Sequence, residues 1–323
     1  MGQRQQSPLR RVELTQPLSR ALRDIAERYE LGSLLSSRII TQGYDDLNVL
    51  LVCERGRYVA KFFNKTKSLS AIKGHVRLQQ ALARRHAPVP RILTIHGEAI
   101  YRTPGREHET LVAVSEYFAG ENLARQPPQR DDILAVTRFL ATLHSLSFQV
   151  AHSYDSWGTL NLPQEFARKK AGVSDETARL VAPHAESVAR LRFGRARRRI
   201  IHGDLQRTHV LKNVSGAYCI LDFGCAHIGY PIVDLGVFLA LFCLLDTRPA
   251  DSRAVIHSVL DTYLALAPLP DRHIALLDTL IRATWASYLL SADVLIRGGD
   301  HSRQTRGWYQ RALRSLRAFE GSL

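Results

Sequence analysis

Apolar positions recur along this chain with two different periods, and the change from one to the other divides it. Residues 37–41, 47–53 and 58–63 are short runs rich in β-branched and aromatic side chains, separated by the polar turns Gln42-Gly43-Tyr44-Asp45-Asp46 and Glu54-Arg55-Gly56-Arg57. Such runs between turn residues predict strands. Residues 110–118 repeat the pattern and stop at Ala119-Gly120. Between these strands Ile72, Val76, Gln79, Leu82 and Ala83 are spaced by three and four, which predicts a helix over 69–85, halted before Pro88-Val89-Pro90. Beyond residue 119 the helical period takes over. Ile133, Val136, Phe139, Leu140 and Leu143 mark one face of a helix over 131–146, and further helices are expected over 252–266, 274–296 and 304–319. Residues 163–191 read as loop plus helix. The apolar run over 235–245 is far shorter than the roughly 20 residues that cross a bilayer, so it is read as a core helix. Leu18, Leu22, Ile25 and Tyr29 share a face of an amphipathic helix over 17–30. The pattern as a whole predicts an α+β chain with a sheet in its first part and a mainly helical remainder.

The second strand-rich stretch carries chemistry. Ile200-Ile201-His202-Gly203-Asp204 leads through Leu205 to His209 into Val210-Leu211-Lys212, and Tyr218-Cys219-Ile220-Leu221-Asp222-Phe223-Gly224 follows after Asn213-Val214-Ser215-Gly216. Turn residues between apolar runs predict a β-hairpin. A turn centred between Ser215 and Gly216 sets Val210 opposite Leu221 and brings His209 beside Asp222 at the open end. Both are potential metal ligands, and Asp204 lies on the loop that feeds the hairpin, with its carboxylate able to face the same point. One group to deprotonate or orient a hydroxyl, next to ligands for a cation that neutralises phosphate charge, is what phosphoryl transfer needs.

Upstream, alternation over 58–63 puts Lys61 on one face with Val59 and Phe63, a point charge on a rigid strand suited to nucleotide phosphates. The turn holding Gly43, between two strands, is placed to lie over those phosphates. Main-chain groups of Glu116, Tyr117 and Phe118, at the end of the strand over 110–118, are positioned to bind the edge of a nucleotide base.

The 202–224 segment resembles the aminoglycoside phosphotransferase and small-molecule kinase superfamily, whose loop reads His-x-Asp, then Asn after four further residues, then Asp at the head of a metal loop. The resemblance implies a protein-kinase-like fold of two lobes, a small antiparallel-sheet N-lobe and a mainly α-helical C-lobe. It implies a helical extension over 1–36, a nucleotide-binding lobe over 37–118 and a catalytic, acceptor-binding lobe over 119–323. In its terms Asp204 is the catalytic base, His209 and Asp222 are the metal ligands, and His202 and Asp234 support the catalytic loop. His209 stands where the pattern usually has Asn, as in macrolide phosphotransferases and lipopolysaccharide-core sugar kinases. Hydroxylysine kinases have a similar Tyr-Asp-Asp-x-Asn run, which here covers Tyr44, Asp45, Asp46 and Asn48, Asn48 being the matching Asn. A second departure is His75, at the position that commonly holds a glutamate paired with the lysine. Lys61 is then oriented by another carboxylate or by the nucleotide itself.

Composition bounds the rest. The chain has 323 residues, a formal net charge of +14 and four cysteines without zinc-type spacing. With no apolar leader near the N-terminus, a cytoplasmic protein with reduced thiols is expected. The run Arg195-Ala196-Arg197-Arg198-Arg199 has no nucleic-acid motif beside it and reads as a solvated helix terminus, so neither nucleic acid nor membrane is an expected partner. Both 120–199 and 236–323 carry more Lys and Arg than Asp and Glu. That disfavours a polycationic acceptor and favours a neutral or anionic alcohol. The sequence therefore points to an ATP-dependent (or GTP-dependent) phosphotransferase for a small-molecule hydroxyl, using magnesium, with manganese a candidate because of the imidazole ligand. The alternatives are a nucleotide-binding pseudokinase and a kinase of an anionic glycan.

Overall fold

The computed structural model describes residues 9, 12, 14–41, 46–105, 109–125, 127–150, 154–195, 197–245 and 247–319. The chain divides into two compact units. One ends at Glu121 and also takes in Leu211–Leu221; the other runs from Asn122 to Val210 and resumes at Asp222.

The first unit is built on a five-stranded antiparallel sheet of β1 (Leu34–Ile40), β2 (Leu47–Cys53), β3 (Gly56–Phe62), β4 (Tyr101–Thr103) and β5 (Thr110–Glu116), in the order β1-β2-β3-β5-β4. The long central strands coincide with the β-branched runs. The register of β2 with β3 sets Asn48 opposite Lys61, and that of β3 with β5 sets Lys61 opposite Ala113. Helix α1 (Leu18–Arg28) buries Leu22, Ile25 and Ala26 in one core with Leu47, Val49, Leu51, Ala60, Phe62, Val112 and Val114. The expected amphipathic helix therefore shares the core of the sheet. Helix α2 (Leu69–Arg84) starts where the Ser68 hydroxyl accepts the Ala71 amide at 3.3 Å, and its Ile72 and Val76 pack with Phe63 and Ala113.

In the second unit α3 (Arg130–Ser145) opens with a capping box, the Asp132 carboxylate accepting the Gln129 amide at 2.8 Å. Then come α4 (Leu162–Lys169) and α5 (Asp175–Ala189), which resolve the loop-plus-helix stretch into two helices. The N-cap Ser174 of α5 is fastened by its amide and hydroxyl to Asp293 at 2.8 and 3.0 Å. The two-residue β6 (Glu121–Asn122) precedes α3, and a short β7 (Arg199–Ile201) pairs antiparallel with β10 (His227–Gly229). The remaining elements are α6 (Pro231–Phe238), α7 (Pro249–Leu264), α8 (Asp271–Ile274), α9 (Leu277–Arg297) and α10 (Arg303–Ala318). Phe238, Leu239, Phe242, Tyr263, Trp285 and Tyr288 are buried, as the apolar spacing implies.

Three expectations are corrected. The apolar run over 235–245 is not one α-helix: after Phe238 the segment Leu239–Cys243 widens to a π-turn, with the Leu244 amide on the Leu239 carbonyl at 2.9 Å. The helix expected over 274–296 is the single helix α9, but it starts three residues later, because the chain turns between Ile274, the end of α8, and Leu277. The basic run does not cap a helix; α5 ends at Ala189, and Arg199 already belongs to β7. All four cysteines are free thiols, and among the described residues no helix is long and apolar enough to cross a membrane.

Candidate active site

The loop after β7 is clamped by one buried carboxylate. Asp234, on the first turn of α6, accepts the His202 amide at 2.7 Å, the Gly203 amide at 2.8 Å and His144 Nε2 at 3.0 Å. A carboxylate only accepts, so the imidazole proton sits on Nε2, and the Tyr263 hydroxyl meets Nδ1 at 2.6 Å. Burial pushes the Asp234 carboxyl up, but the His144 bond and the His144 and His202 rings more than offset it and hold it below the ordinary value. Gly203 has φ +82°, and a Cβ there would come within 2.6 Å of the Cys225 carbonyl, so the turn admits only glycine.

Asp204 comes next and is held from two sides. The Tyr288 hydroxyl on α9 donates to Oδ1 at 2.7 Å, and Gln206 Nε2 reaches both oxygens at 3.2 and 3.1 Å. Burial pushes the Asp204 carboxyl above its ordinary value, opposed by His209 and the Tyr288 bond. Its backbone carbonyl accepts His209 Nδ1 at 2.7 Å, which fixes that proton and leaves the Nε2 lone pair 3.7 Å from Asp222 Oδ2. His209 Nδ1 is also 3.8 Å from Asp204 Oδ2. The structure thus brings Asp204, His209 and Asp222 together. Asp222 adopts φ 63° and ψ 69°, the left-handed region that aspartate enters more readily than most non-glycine residues, and its side chain accepts the Gly224 amide at 3.4 Å.

The hairpin between them, β8 (Val210–Lys212) and β9 (Tyr218–Ile220), closes differently from the symmetric turn expected. The Asn213 amide bonds the Ala217 carbonyl at 3.0 Å, and Gly216, at φ +83°, bonds the Asn213 carbonyl at 3.0 Å. Asn213 therefore faces Ala217 rather than Tyr218, because a three-residue loop with one left-handed glycine replaces a two-residue turn. The open end still delivers His209 to Asp222.

In the first unit, Lys61 lies 3.1 Å from Asp46 Oδ2. His75 is buried on α2, and the carboxylate partner of the lysine comes instead from the residue just before β2. Asp46 belongs to the Tyr-Asp-Asp-x-Asn run, but its pairing with Lys61 was not legible there, because it depends on the β2–β3 register. Asn48 sits across from Lys61. Gly43, Tyr44 and Asp45 lie outside the described residues. Of the three amides at the end of β5, Glu116 bonds the Arg91 carbonyl at 3.0 Å and Tyr117 the Arg57 carbonyl at 3.1 Å. Among the described residues, only the Phe118 amide of the three is left to donate to a base.

Tyr288 was legible only as core; its hydroxyl is a site group. Around it, Trp157 sits edge-on to Tyr288 at 5.0 Å and to Trp308 at 5.1 Å, and the Trp157 carbonyl accepts the Ser287 hydroxyl at 2.8 Å. Asp155 leads into this loop. Burial, opposed by the Trp157 amide and reinforced by Asp204, pushes its carboxyl up to about 6.

A cation held here would draw on His209 Nε2 and the Asp222 carboxylate. Among the described residues no group of three or more His, Cys, Asp or Glu is arranged around one ion. Two protein donors suit a metal whose other positions are filled by phosphate oxygens and water, the way magnesium is commonly held at phosphoryl-transfer sites.

A small sheet-based unit carrying an ion-paired strand lysine, and a helical unit carrying a clamped His-Gly-Asp loop and an Asp-headed turn, define a kinase-like phosphotransferase. The chain belongs to the phosphotransferase enzyme family, which it matches over residues 36–272. It is 26% identical over 269 residues to the homoserine kinase of Methylobacillus glycogenes, covering 81% of each chain. Among solved structures it resembles a microcompartment-associated aminopropanol kinase, with TM-score 0.70, 17% identity and coverage of 92% and 95% of the two chains. It also resembles an amicoumacin kinase in complex with AMP-PNP and Ca²⁺, with TM-score 0.67, 15% identity and 93% coverage of each. The protein is an ATP-dependent phosphotransferase acting on a small-molecule hydroxyl, and its family implies a divalent metal ion.

Proposed function

We propose that the acceptor is a small, net-neutral hydroxy-amino acid of the homoserine type, and that Asp204 is the base, His209 and Asp222 the metal ligands, and Lys61 the phosphate clamp. In this reading the acceptor hydroxyl oxygen forms a bond to the γ-phosphorus, the bond from that phosphorus to the β-γ bridging oxygen breaks, and the hydroxyl proton passes to the Asp204 carboxylate. A carboxyl raised by burial is a stronger base than an ordinary aspartate. Tyr288 and Gln206 hold it in one orientation. His202 and Asp234 keep the loop in place from beneath. The metal, magnesium or manganese, supplies neutralisation of phosphate charge when bound. ATP is the expected donor, with GTP to be compared. The unit ending at Glu121 is read as the nucleotide-binding lobe and the remainder as the catalytic and acceptor lobe.

The observation that carries this reading is the convergence of Asp204 and Asp222 on the two nitrogens of one fixed imidazole. For the acceptor, support comes from the homoserine kinase relatives and from the surroundings of Asp204. The half-buried Asp155 carboxylate and the Trp157, Tyr288 and Trp308 rings suit an ammonium group on the acceptor. The test is transfer of labelled γ-phosphate to homoserine, 3-aminopropanol, 4-hydroxybutyrate and a sugar panel, with each metal and each donor nucleotide. Homoserine should be phosphorylated with the highest kcat/KM, and Asp155→Asn should penalise the two amines while sparing 4-hydroxybutyrate. Transfer confined to sugars would remove the acceptor assignment. Wild-type turnover in Asp204→Asn, where a loss of at least about 10²-fold is expected, would remove the base.

A further inference from the structure

We propose that Ser287 and Asn161 are positioning residues for acceptor choice: with Tyr288 they fix where Asp155 stands relative to Asp204, so that α9 acts as a ruler for the spacing between the hydroxyl and the ammonium group of an amino alcohol. This rests on the reading of Asp204 as the base and of Asp155 as the counter-charge for an acceptor ammonium.

Thr284, Ser287, Tyr288 and Ser291 are buried, and their spacing by three and four puts them on one face of α9. Polar groups inside a largely apolar helix are costly unless each finds a partner. The Thr284 hydroxyl donates to the Leu280 carbonyl at 2.8 Å and meets the Thr159 hydroxyl at 2.9 Å. The Ser287 hydroxyl donates to the Trp157 carbonyl at 2.8 Å, and the Tyr288 hydroxyl donates to Asp204 at 2.7 Å. Ser291 Oγ lies 3.4 Å from Lys169 Nζ. One helix face therefore grips both the loop that carries Asp155 and the loop that carries Asp204.

The segment over 154–161 is also held by its own neighbours. The Asp155 carbonyl accepts Asn161 Nδ2 at 2.7 Å, and Lys169 Nζ approaches the Ser156 carbonyl at 3.4 Å. Lys169 is itself paired at 2.7 Å with the buried Glu165, which takes the Tyr154 hydroxyl at 2.6 Å. Three successive carbonyls, those of Asp155, Ser156 and Trp157, thus each face a side-chain donor. Loop carbonyls are ordinarily served by water, so ordering three in a row adds little stability and has an entropic cost. What it does achieve is precision. The Asp155 carboxylate, whose Oδ1 takes the Trp157 amide at 2.8 Å, is held in one place by a backbone fixed on both sides of it.

Ser287 and Tyr288 are consecutive residues, so the two loops are spaced by a rigid helix and not by the chain that joins them. The Trp157 ring, edge-on to Tyr288 at 5.0 Å, closes the same arrangement, and the charges of both Asp155 and Asp204 are felt at the Tyr288 phenol. An acceptor that gives its hydroxyl to Asp204 and its ammonium group to Asp155 must span a separation set by α9. On the homoserine reading that separation matches three carbons between oxygen and nitrogen, a spacing that 3-aminopropanol shares. A shorter or longer chain gives up one contact or strains to keep both.

The experiment measures kcat and KM for 2-aminoethanol, 3-aminopropanol, 5-aminopentanol and 4-hydroxybutyrate at saturating ATP, on the full chain and on Ser287→Ala, Ser287→Thr and Asn161→Ala, with a thermal melt of each. The wild type should prefer 3-aminopropanol to the other two amines by about tenfold or more in kcat/KM. Ser287→Ala and Asn161→Ala should each flatten that preference to about threefold or less, chiefly through KM, and should lose more on 3-aminopropanol than on 4-hydroxybutyrate. Ser287→Thr, which keeps the hydroxyl, should retain the length preference. Asn161 is only partly buried, so its variant carries the test if Ser287→Ala does not fold. A wild type indifferent to amine length, equal losses on all four acceptors, or a lowered melting temperature with the length preference intact would each overturn the proposal. A wild type that uses 4-hydroxybutyrate as readily as 3-aminopropanol would instead overturn the ammonium role of Asp155 itself, so the two failures are distinguishable.

Discussion

Tyr288 and Asp204 are 84 positions apart in sequence and 2.7 Å apart in space, and the bond between them bears directly on the base proposed at Asp204. Burial and the neighbouring Asp204 carboxylate both favour the protonated phenol, so Tyr288 donates. That donation stabilises the carboxylate form and works against the upward push of burial on Asp204. Removing it in Tyr288→Phe should raise the Asp204 carboxyl further. Under the proposed assignment Asp204 acts only when deprotonated, so the acidic limb of kcat/KM against pH should move to higher pH in the variant, and the profile on the two proteins is the check. An unmoved or downward-shifted limb would show that Asp204 is not the group titrating. The proposal that the His209 imidazole is a metal ligand makes a second residue-scale expectation. His209→Asn trades a nitrogen donor for oxygen, so the ratio of activity with magnesium to activity with manganese should rise, measured at saturating metal.

At the scale of elements, the His202–His209 loop is held at two ends by parts of α6 and its continuation. Asp234 takes the amides of His202 and Gly203. Arg207, only 5% exposed, gives Nε to the Phe242 carbonyl at 2.7 Å and approaches the Cys243 carbonyl at 3.5 Å. Both carbonyls belong to the π-turn, whose widened ladder directs them toward the loop. Arg207→Met leaves the Phe242 carbonyl without its charged donor, and should lower the unfolding free energy from urea titration by about 2–3 kcal/mol while lowering kcat in the folded fraction. This also shows what the sequence could and could not say. The strand over 110–118 and the helix over 69–85 were legible because burial on one face writes a period into the residues. The His-Gly-Asp loop was legible because its spacing is local. The π-turn was not, since Leu239, Ala240, Leu241, Phe242 and Cys243 are apolar in any helical geometry, and the carbonyls that matter have no residue identity. The Asp46 partnership and the Tyr288 hydroxyl were hidden for a related reason: each depends on a contact between distant segments, while the residue's own neighbourhood reads as turn or as core.

For the molecule as a whole, a formal charge of +14 coexists with a site lined by Asp155, Asp204 and Asp222. Composition summed over the chain disfavours a polycation, and the carboxylates near Asp204 disfavour a polyanion as acceptor. A zwitterion satisfies both. The two substrates should then differ in how they feel the field of the protein. ATP carries several negative charges and is drawn in by a basic molecule, an attraction screened when the Debye length shrinks from about 30 Å at about 0.01 M salt to about 3 Å at about 1 M. The kcat/KM for ATP should therefore fall several-fold across that range, while the KM for a net-neutral acceptor at saturating ATP should stay nearly flat. A steep rise in acceptor KM with salt would mark an acceptor anion drawn in by the same field. A fall in acceptor KM would mark a cation repelled by it. Because the charge of the acceptor is read from a slope and not from a substrate name, the measurement constrains its chemistry even for an alcohol outside the homoserine series.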